Sequence, residues 1–192
     1  MKIILASGSP RRKQLLEHIG IKHEVIVSDV DETISGPPDY QVENLSLRKA
    51  NAVLDMIAYD AVIIAADTLV YIDGQVLGKP ESKEDAYAML SMLQGRMHKV
   101  YTGVTVMKIE NGVAKTHTFV SIADVYFREL CKNEIMAYIC TGEPFDKAGA
   151  YGVQDKGAVL VEKVDGDYFT VVGLPVAKLS VVLRELGVNV WA

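Results

Sequence analysis

An aspartate beside a buried apolar run is the first candidate for chemistry in this sequence. Asp67 follows the continuous apolar run 61–66 and precedes Thr68. Such a run predicts a central strand buried on both faces, and open α/β sheets bind ligands where strands of this kind end. A buried carboxylate is costly unless it is paired or coordinates a metal, so Asp67 is a candidate metal ligand or general base. The alternative is an aspartate that only forms a turn.

A second candidate site lies near the beginning of the chain, where four apolar residues precede the segment 7–10, Ser-Gly-Ser-Pro. A short strand that ends in such a turn against a helix presents free backbone N–H groups and the positive end of the helix dipole to an anion. Arg11 and Arg12 oppose that dipole, and a bound anion would explain them. The alternative is a well-capped helix that begins at Ser9 and carries two exposed arginines.

The acidic loop 29–32, Asp-Val-Asp-Glu, supplies oxygen ligands of the kind that divalent cations prefer. Mg²⁺ and Mn²⁺ typically bind one or two carboxylates together with phosphate oxygens of a substrate, so Glu32 is a candidate metal ligand. A solvated loop is the alternative for any one of these residues. A zinc site is disfavoured because no two histidines have a ligand spacing such as His-x-x-x-His.

Two lysines and one polar loop complete the candidates. Lys49 lies on a predicted helix, and Lys79 lies between a glycine and a proline that would fix its position. The loop 141–154 is too long for a simple connector, mixes glycines with charges and ends at Gln154, which is typical of a binding wall. The alternatives are two solvated lysines and a structural Ω-loop.

Composition excludes several classes of function. The net charge of −5 argues against a general nucleic-acid surface, and 49% hydrophobic residues are enough for a real core. No apolar run reaches the length of a secretory signal or a membrane span, so a cytoplasmic protein that does not contact a membrane is predicted. The two cysteines, Cys131 and Cys140, lie nine residues apart in a segment predicted to be mainly helical, which is too far for them to pair and predicts free thiols. There is no Walker A loop and no G-x-G-x-x-G segment.

The elements that must position these residues follow from periodicity and turn signals. Strands alternate with helices but include hairpins at 73–74 (Asp-Gly) and 111–112 (Asn-Gly), so the predicted fold class is α/β, with a mixed sheet flanked by helices. A Ser82–Asp85 capping box begins one of the helices. The predicted helices are 10–19, 40–58, 82–93, 133–139 and 174–186, and the predicted strands are 3–6, 24–27, 61–66 continued by 69–72, 100–109, 116–127 and 159–164.

Taken together and in this order, the motifs resemble the Maf family of nucleoside triphosphate pyrophosphatases. The resemblance covers essentially the whole chain. The segments that carry it are 5–12 (LASGSPRR), Glu32, Lys49 within 47–50 (LRKA), 66–68 (ADT), 78–80 (GKP), 95–103 (GRMHKVYTG), 142–154 (GEPFDKAGAYGVQ) and 173–175 (GLP).

The resemblance implies a fold and a reaction. It implies one domain over residues 1–192, with an elongated sheet and two lobes around a central cleft, as in Maf and inosine-triphosphatase-like proteins. It also implies a cytoplasmic enzyme, in the form of a homodimer, that cleaves a nucleoside triphosphate between the α- and β-phosphates. The products would be a monophosphate and pyrophosphate, and the cofactor would be a divalent cation, Mg²⁺, Mn²⁺ or Co²⁺.

The resemblance also implies roles for single residues. Asp67 matches the catalytic carboxylate that accepts a proton from water, and Glu32 would help Asp67 to hold the metal. Four residues match triphosphate-binding positions, namely Ser7, Arg12, Lys49 and Lys79. Three others match the family's subgroup for dTTP and UTP, namely Arg11, Thr68 and Gln154.

The base-reading assignment is chemically consistent. A uracil or thymine ring offers two carbonyl acceptors and one N3–H donor, and the Gln154 amide can donate and accept at once. Cytosine lacks that N3–H and would leave the amide mismatched, which is how such a pocket rejects a base. Two alternatives stay open: a pyrophosphatase for 7-methylguanosine triphosphate or other modified nucleotides, and a nucleotide-sensing regulator of cell division without turnover. Family members often continue the glutamine with glycine, where this chain has Asp155.

Overall fold

The computed structural model describes residues 1–189, which form helices and strands. The prediction of a single domain over 1–192 stays a prediction, and its last three residues lie outside the described part. The strands are β1 (Lys2–Leu5), β2 (Glu24–Val25), β3 (Ala61–Ile72), β4 (Gln75–Leu77), β5 (Met97–Glu110), β6 (Val113–Phe127) and β7 (Val161–Asp165). The α-helices are α1 (Pro10–His18), α2 (Pro38–Leu54), α3 (Lys83–Leu93), α4 (Lys132–Cys140), α5 (Tyr168–Val172) and α6 (Val176–Glu185), and Glu143–Asp146, Ala148–Ala150 and Asp155–Leu160 are 3₁₀-helices.

The strands form one mixed sheet in the order β2-β1-β3-β5-β6-β7, with β4 paired to β3. β1 pairs in parallel with β2 and with β3, whereas the pairs β3–β4 and β6–β7 are antiparallel. The predicted α/β class with a mixed sheet flanked by helices is therefore confirmed. None of the described helices is both long and apolar enough to cross a lipid bilayer.

The chain divides into two compact units. The first unit comprises residues 1–67 and 102–121 together with the described residues from 173 onward, and the second comprises 68–101 and 122–172. β3, β5 and β6 are long enough to contribute one segment to each unit.

The core of the first unit forms where α2 packs on the sheet. Small and β-branched residues of β3, among them Ala61, Ile63 and Ala65, belong to one core cluster with Ala50 and Val53 of α2. These helix residues lie three apart, which places them on one face of α2. The short side chains let α2 approach the sheet closely, and the same helix carries Lys49.

The second unit has its own core, built from the inner faces of its strands and from α3 and α4. Val70 and Ile72 of β3 lie on one face of that strand and pack with Leu90 of α3 and Ile135 of α4. Ser82 begins α3 as predicted, since its hydroxyl accepts a hydrogen bond from the Asp85 N–H at 3.0 Å.

Both predicted hairpin turns are confirmed. Asp73 and Gly74 have φ values of 50° and 81°, and Asn111 and Gly112 have 53° and 75°. Positive φ at both central positions is what a two-residue hairpin turn requires, and Asn-Gly and Asp-Gly meet it at low cost.

Three predictions about elements were wrong. β3 runs through Asp67 and Thr68 without interruption, so Asp67 lies inside a strand and not after one. The neighbouring strand β1 stops at Leu5, opposite Ile64, so Asp67 nevertheless lies beyond the end of that pairing. Ser9 precedes α1 but its side chain makes no capping hydrogen bond, and the segment 174–186 begins as a helix only at Val176, after the separate helix α5.

Candidate functional site

The turn between β1 and α1 is held by hydrogen bonds between side chains and backbone. Ser7 is buried, and its hydroxyl accepts hydrogen bonds from the Ser9 N–H at 3.2 Å and from Arg12 Nη1 at 3.1 Å. Ser7 rather than Ser9 therefore organises the start of the helix. Arg11 is half-buried on the same helix, beside Arg12.

Arg12 ties this turn to two other parts of the first unit. Its Nη1 donates to the carbonyl oxygen of Ala66 at 2.7 Å, and its Nε donates to the carbonyl oxygen of Gly173 at 2.8 Å. Burial lowers the pKa of Arg12, and the negative charge of Asp67 opposes that shift. The guanidinium therefore anchors the backbone immediately before Asp67 and contributes a positive charge near its carboxylate.

The first unit contains a cluster of three charged residues, Asp67, Lys49 and Glu32. The Lys49 ammonium lies 2.7 Å from Asp67 Oδ1 and 2.7 Å from Glu32 Oε1. Lys49 and Asp67 are largely buried, with side chains 14% exposed, whereas the Glu32 side chain is 62% exposed. Because both oxygens contact one nitrogen atom, they cannot be further apart than twice that contact distance. Strand β3, helix α2 and the acidic loop thus bring three predicted residues together.

Arg48 contacts the loop that carries Glu32, and no sequence motif predicted this role. Its Nη1 donates to the carbonyl oxygens of Asp31 and Thr33 at 3.1 and 3.3 Å, on both sides of Glu32. The Asp31 carboxylate accepts a hydrogen bond from the Thr33 N–H at 2.8 Å, which lowers the pKa of Asp31. The only sequence signal for Arg48 is its position beside Lys49.

Gly103 sets the distance between α2 and β5. A Cβ atom at this position would collide with the backbone carbonyl group of Val42 in α2. Val42 lies seven residues before Lys49, or about two helical turns, so both residues lie on nearly the same face of α2. The missing side chain at Gly103 therefore allows the close packing that carries Lys49 to Asp67.

Lys79, Thr68 and Gln154 belong to the second unit. Lys79 is exposed after β4, and Thr68 is half-buried in β3. The carbonyl oxygen of Gly78 accepts a hydrogen bond from the Gly149 N–H at 2.9 Å. This bond ties the Lys79 segment to the predicted binding loop that ends at Gln154.

Gln154 is half-buried and directly precedes the 3₁₀-helix Asp155–Leu160. Asp155 has a φ of 52°, a left-handed conformation that glycine adopts without strain and that aspartate tolerates better than most residues. This backbone geometry accounts for the glycine that family members often carry where this chain has Asp155.

A buried histidine supports the same loop and was also missed. His98 Nε2 lies 2.7 Å from the Tyr151 hydroxyl, and both rings pack edge-to-face with each other and with Phe127. Burial lowers the pKa of His98 to about 4, so its ring is neutral at physiological pH. Its Nδ1 is buried and has no hydrogen-bond partner within residues 1–189.

The donor set of the first unit suits a hard divalent cation that is shared with a substrate. Over residues 1–189 the structure contains no group of three or more His, Cys, Asp or Glu side chains able to enclose a metal ion. It does bring the Glu32 and Asp67 carboxylates to one cation, the Lys49 ammonium. One or two carboxylates completed by phosphate oxygens and water is the ordinary environment of Mg²⁺. Cys131 and Cys140 are free thiols, as predicted, and both are exposed.

Comparison with solved structures identifies the fold. The structure of the Staphylococcus aureus Ham1 protein superposes with a TM-score of 0.51 over 97% of this chain and 100% of that chain. The two sequences are 15% identical, so the likeness concerns the fold alone.

The sequence itself identifies the family. The family model described as "Maf-like protein" matches residues 2–186, and the chain belongs to that family. Two relatives are named dTTP/UTP pyrophosphatase. One, from Bacillus anthracis, is 47% identical, and the other, from Bacillus cereus, is 46% identical. Each alignment covers 98% of this chain and 97% of the relative.

Proposed function

We propose that this protein is a nucleoside triphosphate pyrophosphatase that hydrolyses dTTP and UTP to the monophosphate and pyrophosphate. The observation that carries the proposal is the contact of Asp67 and Glu32 with the single ammonium of Lys49, each at 2.7 Å. Relatives that are 46–47% identical over almost their full length are named for this activity.

In the proposed reaction, Asp67 is the catalytic residue. Its carboxylate accepts a proton from water, the water oxygen bonds to the α-phosphorus, and the bond between that phosphorus and the oxygen that bridges to the β-phosphate breaks. Pyrophosphate leaves with the bridging electron pair. Phosphoryl chemistry needs positioning and charge neutralisation more than covalent help. We assign these tasks to the triphosphate-binding residues Ser7, Arg12, Lys49 and Lys79.

The proposed reaction also uses a divalent cation, Mg²⁺, Mn²⁺ or Co²⁺, and Glu32 and Asp67 would hold it. When bound, the cation would neutralise phosphate charge. Lys49 provides one positive charge to the same two carboxylates, which keeps them close together.

Base selection is assigned to three other residues. Arg11 can donate to a pyrimidine carbonyl group, and the Gln154 amide can pair with N3–H and an adjacent carbonyl. Thr68 completes this set. A base without that N3–H would leave Gln154 mismatched, which disfavours cytosine.

Because nucleoside triphosphates are cytoplasmic metabolites, the proposed activity belongs in the cytoplasm. No nucleic-acid or membrane partner is proposed, and a homodimer stays a prediction.

The decisive experiment measures pyrophosphate release from dTTP, UTP, CTP and 7-methylguanosine triphosphate, each titrated with Mg²⁺, Mn²⁺ and Co²⁺. We expect the highest kcat/KM for dTTP and UTP and no release in excess EDTA. Preference for 7-methylguanosine triphosphate would contradict the base assignment. Tight binding of a triphosphate without any pyrophosphate release would instead support a nucleotide sensor.

A further inference from the structure

Glu143 is the centre of a hydrogen-bond network around Gln154. Its Oε1 accepts from the Tyr138 hydroxyl at 3.0 Å and from the Gly157 N–H at 3.1 Å, and its Oε2 accepts from the Lys156 N–H at 3.1 Å. One carboxylate therefore binds two consecutive backbone N–H groups that follow Gln154 by two and three residues.

The same network reaches the other side of Gln154. The Tyr138 oxygen, which donates its proton to Glu143, accepts a hydrogen bond from the Gly152 N–H at 3.3 Å. Tyr138 is buried, and burial raises the pKa of its hydroxyl, so it stays a neutral donor. Gln154 thus lies between backbone groups that Glu143 holds directly on one side and through Tyr138 on the other.

Close packing shows that this turn has little room to move. A Cβ atom at Gly157 would collide with the Gly152 carbonyl oxygen and would lie 2.7 Å from the Tyr138 hydroxyl. The Lys147 side chain covers Gly152, and its ammonium donates to the Glu143 carbonyl oxygen at 2.8 Å and to Asp146 at 2.6 Å. The backbone segments before and after Gln154 therefore pack against each other, and the Glu143 carboxylate holds both.

We infer that Glu143 is a positioning residue for base selection, which holds Gln154 so that its amide can distinguish uracil and thymine from cytosine. We call the hydrogen bonds of Glu143 to Tyr138, Lys156 and Gly157 the Glu143 clamp. The inference rests on the proposed function, because it assigns this clamp to the same pyrimidine-reading site. Glu143 contacts backbone groups and the Tyr138 hydroxyl, so its proposed role is to position Gln154 and not to touch substrate. Discrimination through a mismatched amide needs a fixed amide, since a mobile one could rotate to suit either base.

The test compares kcat/KM for UTP and CTP in wild-type protein, Glu143→Ala and Gln154→Ala. We expect the ratio of UTP to CTP to fall about tenfold or more in each variant, mainly through KM for UTP. The double variant should show no further loss, because residues that act through one another are not additive. Gly157→Ala crowds the same turn while the Glu143 side chain itself is unchanged, and it should also lower the ratio.

Glu134→Ala is the matched control. Glu134 lies in the same unit and likewise accepts a backbone N–H, from Cys131 at 2.9 Å, but it caps α4 and pairs with Arg128. This variant should keep the wild-type ratio even where stability falls. A wild-type ratio in Glu143→Ala, a loss of the ratio in Glu134→Ala, or additive losses in the double variant would overturn the inference.

Hydrogen exchange separates failure of the inference from failure of the proposed function. In Glu143→Ala, the amide protons of Lys156 and Gly157 should exchange at least about tenfold faster than in wild type, whether or not any triphosphate is hydrolysed. If wild-type protein releases no pyrophosphate, the proposed function fails while the clamp is still testable by exchange. Unchanged exchange at both amides would overturn the clamp itself.

Discussion

At the scale of single residues, the Lys49–Asp67 contact combines one proposed catalytic group with one permanent positive charge. Asp67→Asn removes the negative charge and the proton acceptor but keeps the shape of the side chain. We expect kcat to fall by about 10²–10⁴, the range that general acid–base groups contribute. Pyrophosphate release under saturating UTP measures the change.

The chain offers a matched control for this substitution. Asp124 contacts the ammonium of Lys99 at 2.7 Å, the distance found between Asp67 and Lys49, but on another part of the sheet. The Asp124→Asn variant should therefore release pyrophosphate from UTP at the wild-type rate. Wild-type turnover of Asp67→Asn, or equal losses in both variants, would contradict the assignment of Asp67.

His98 makes a second prediction at this scale, concerning stability and pH. Its pKa falls from 6.5 to about 4 on burial, so the unfolded chain binds a proton between these values and the folded chain does not. The contribution of His98 to the free energy of unfolding therefore decreases as the pH falls from about 6.5 to about 4. At 1.36 kcal/mol per pKa unit, the loss from His98 between pH 7 and pH 5 is about 2 kcal/mol.

Urea unfolding at pH 7 and pH 5 measures this dependence. His98→Gln removes the titrating ring. The difference in the free energy of unfolding between pH 7 and pH 5 should therefore shrink by about 2 kcal/mol, although the variant is less stable than wild type at both pH values. His117→Gln is the control, because His117 is exposed and its substitution should leave the difference unchanged. An unchanged pH dependence in His98→Gln would show that His98 titrates normally in the folded chain.

At the scale of elements, the packing of α2 against β5 determines whether the charged residues meet. Gly103→Ala introduces a methyl group where the Val42 carbonyl group lies. Overpacking of this kind costs about 1–3 kcal/mol, and the backbone of α2 must shift to relieve it. We therefore expect both a lower free energy of unfolding, measured in urea, and lower pyrophosphatase activity.

Gly78→Ala serves as the control for stability. Gly78 has ordinary backbone geometry, and nothing lies within 4 Å of the position that its Cβ would occupy. This variant should unfold with a free energy equal to the wild-type value or slightly above it, because alanine restricts the unfolded chain. Equal stability of the two alanine variants would show that α2 does not depend on Gly103.

Local patterns predicted the elements well but not the contacts between them. The apolar run before Asp67, the Asp-Gly and Asn-Gly turns and the Ser82 cap depend on neighbours in sequence, and each was predicted. The contact of Lys49 with Asp67 depends on how a helix packs on a sheet, which no local pattern contains. Glu143 and Arg48 were missed for the same reason, since a single charged residue in a loop or helix is usually solvated.

At the scale of the whole molecule, each of the two compact units has fully buried residues of its own. Leu16 of α1 and Leu90 of α3 are both fully buried, one in each unit. Leu→Ala at such a site costs about 2–5 kcal/mol. Because parts of a protein open locally with different free energies, each substitution should loosen its own unit most.

Hydrogen exchange followed by mass spectrometry tests this expectation with the two variants as controls for each other. Leu90→Ala should accelerate exchange in α4 more than in α2, and Leu16→Ala should do the reverse. Equal acceleration in both helices for both variants would show that the whole chain opens as one unit.

The order of strands at this scale lay beyond local sequence patterns. Alternating helices and strands indicated the α/β class, whereas the order β2-β1-β3-β5-β6-β7 depends on pairing between distant segments. The five-residue helix α5 was missed because so short a segment shows barely more than one helical turn of periodicity.

The lack of a side chain at Gly103 has a consequence for sorting related sequences into active and inactive ones. A relative could keep every acidic and basic residue discussed above and still carry a side chain at this position. Its helix would then stand away from the sheet, and its lysine would no longer reach the aspartate. A screen of genomes that checks only for charged residues would count such a protein as an enzyme, whereas adding this one glycine to the search pattern would exclude it.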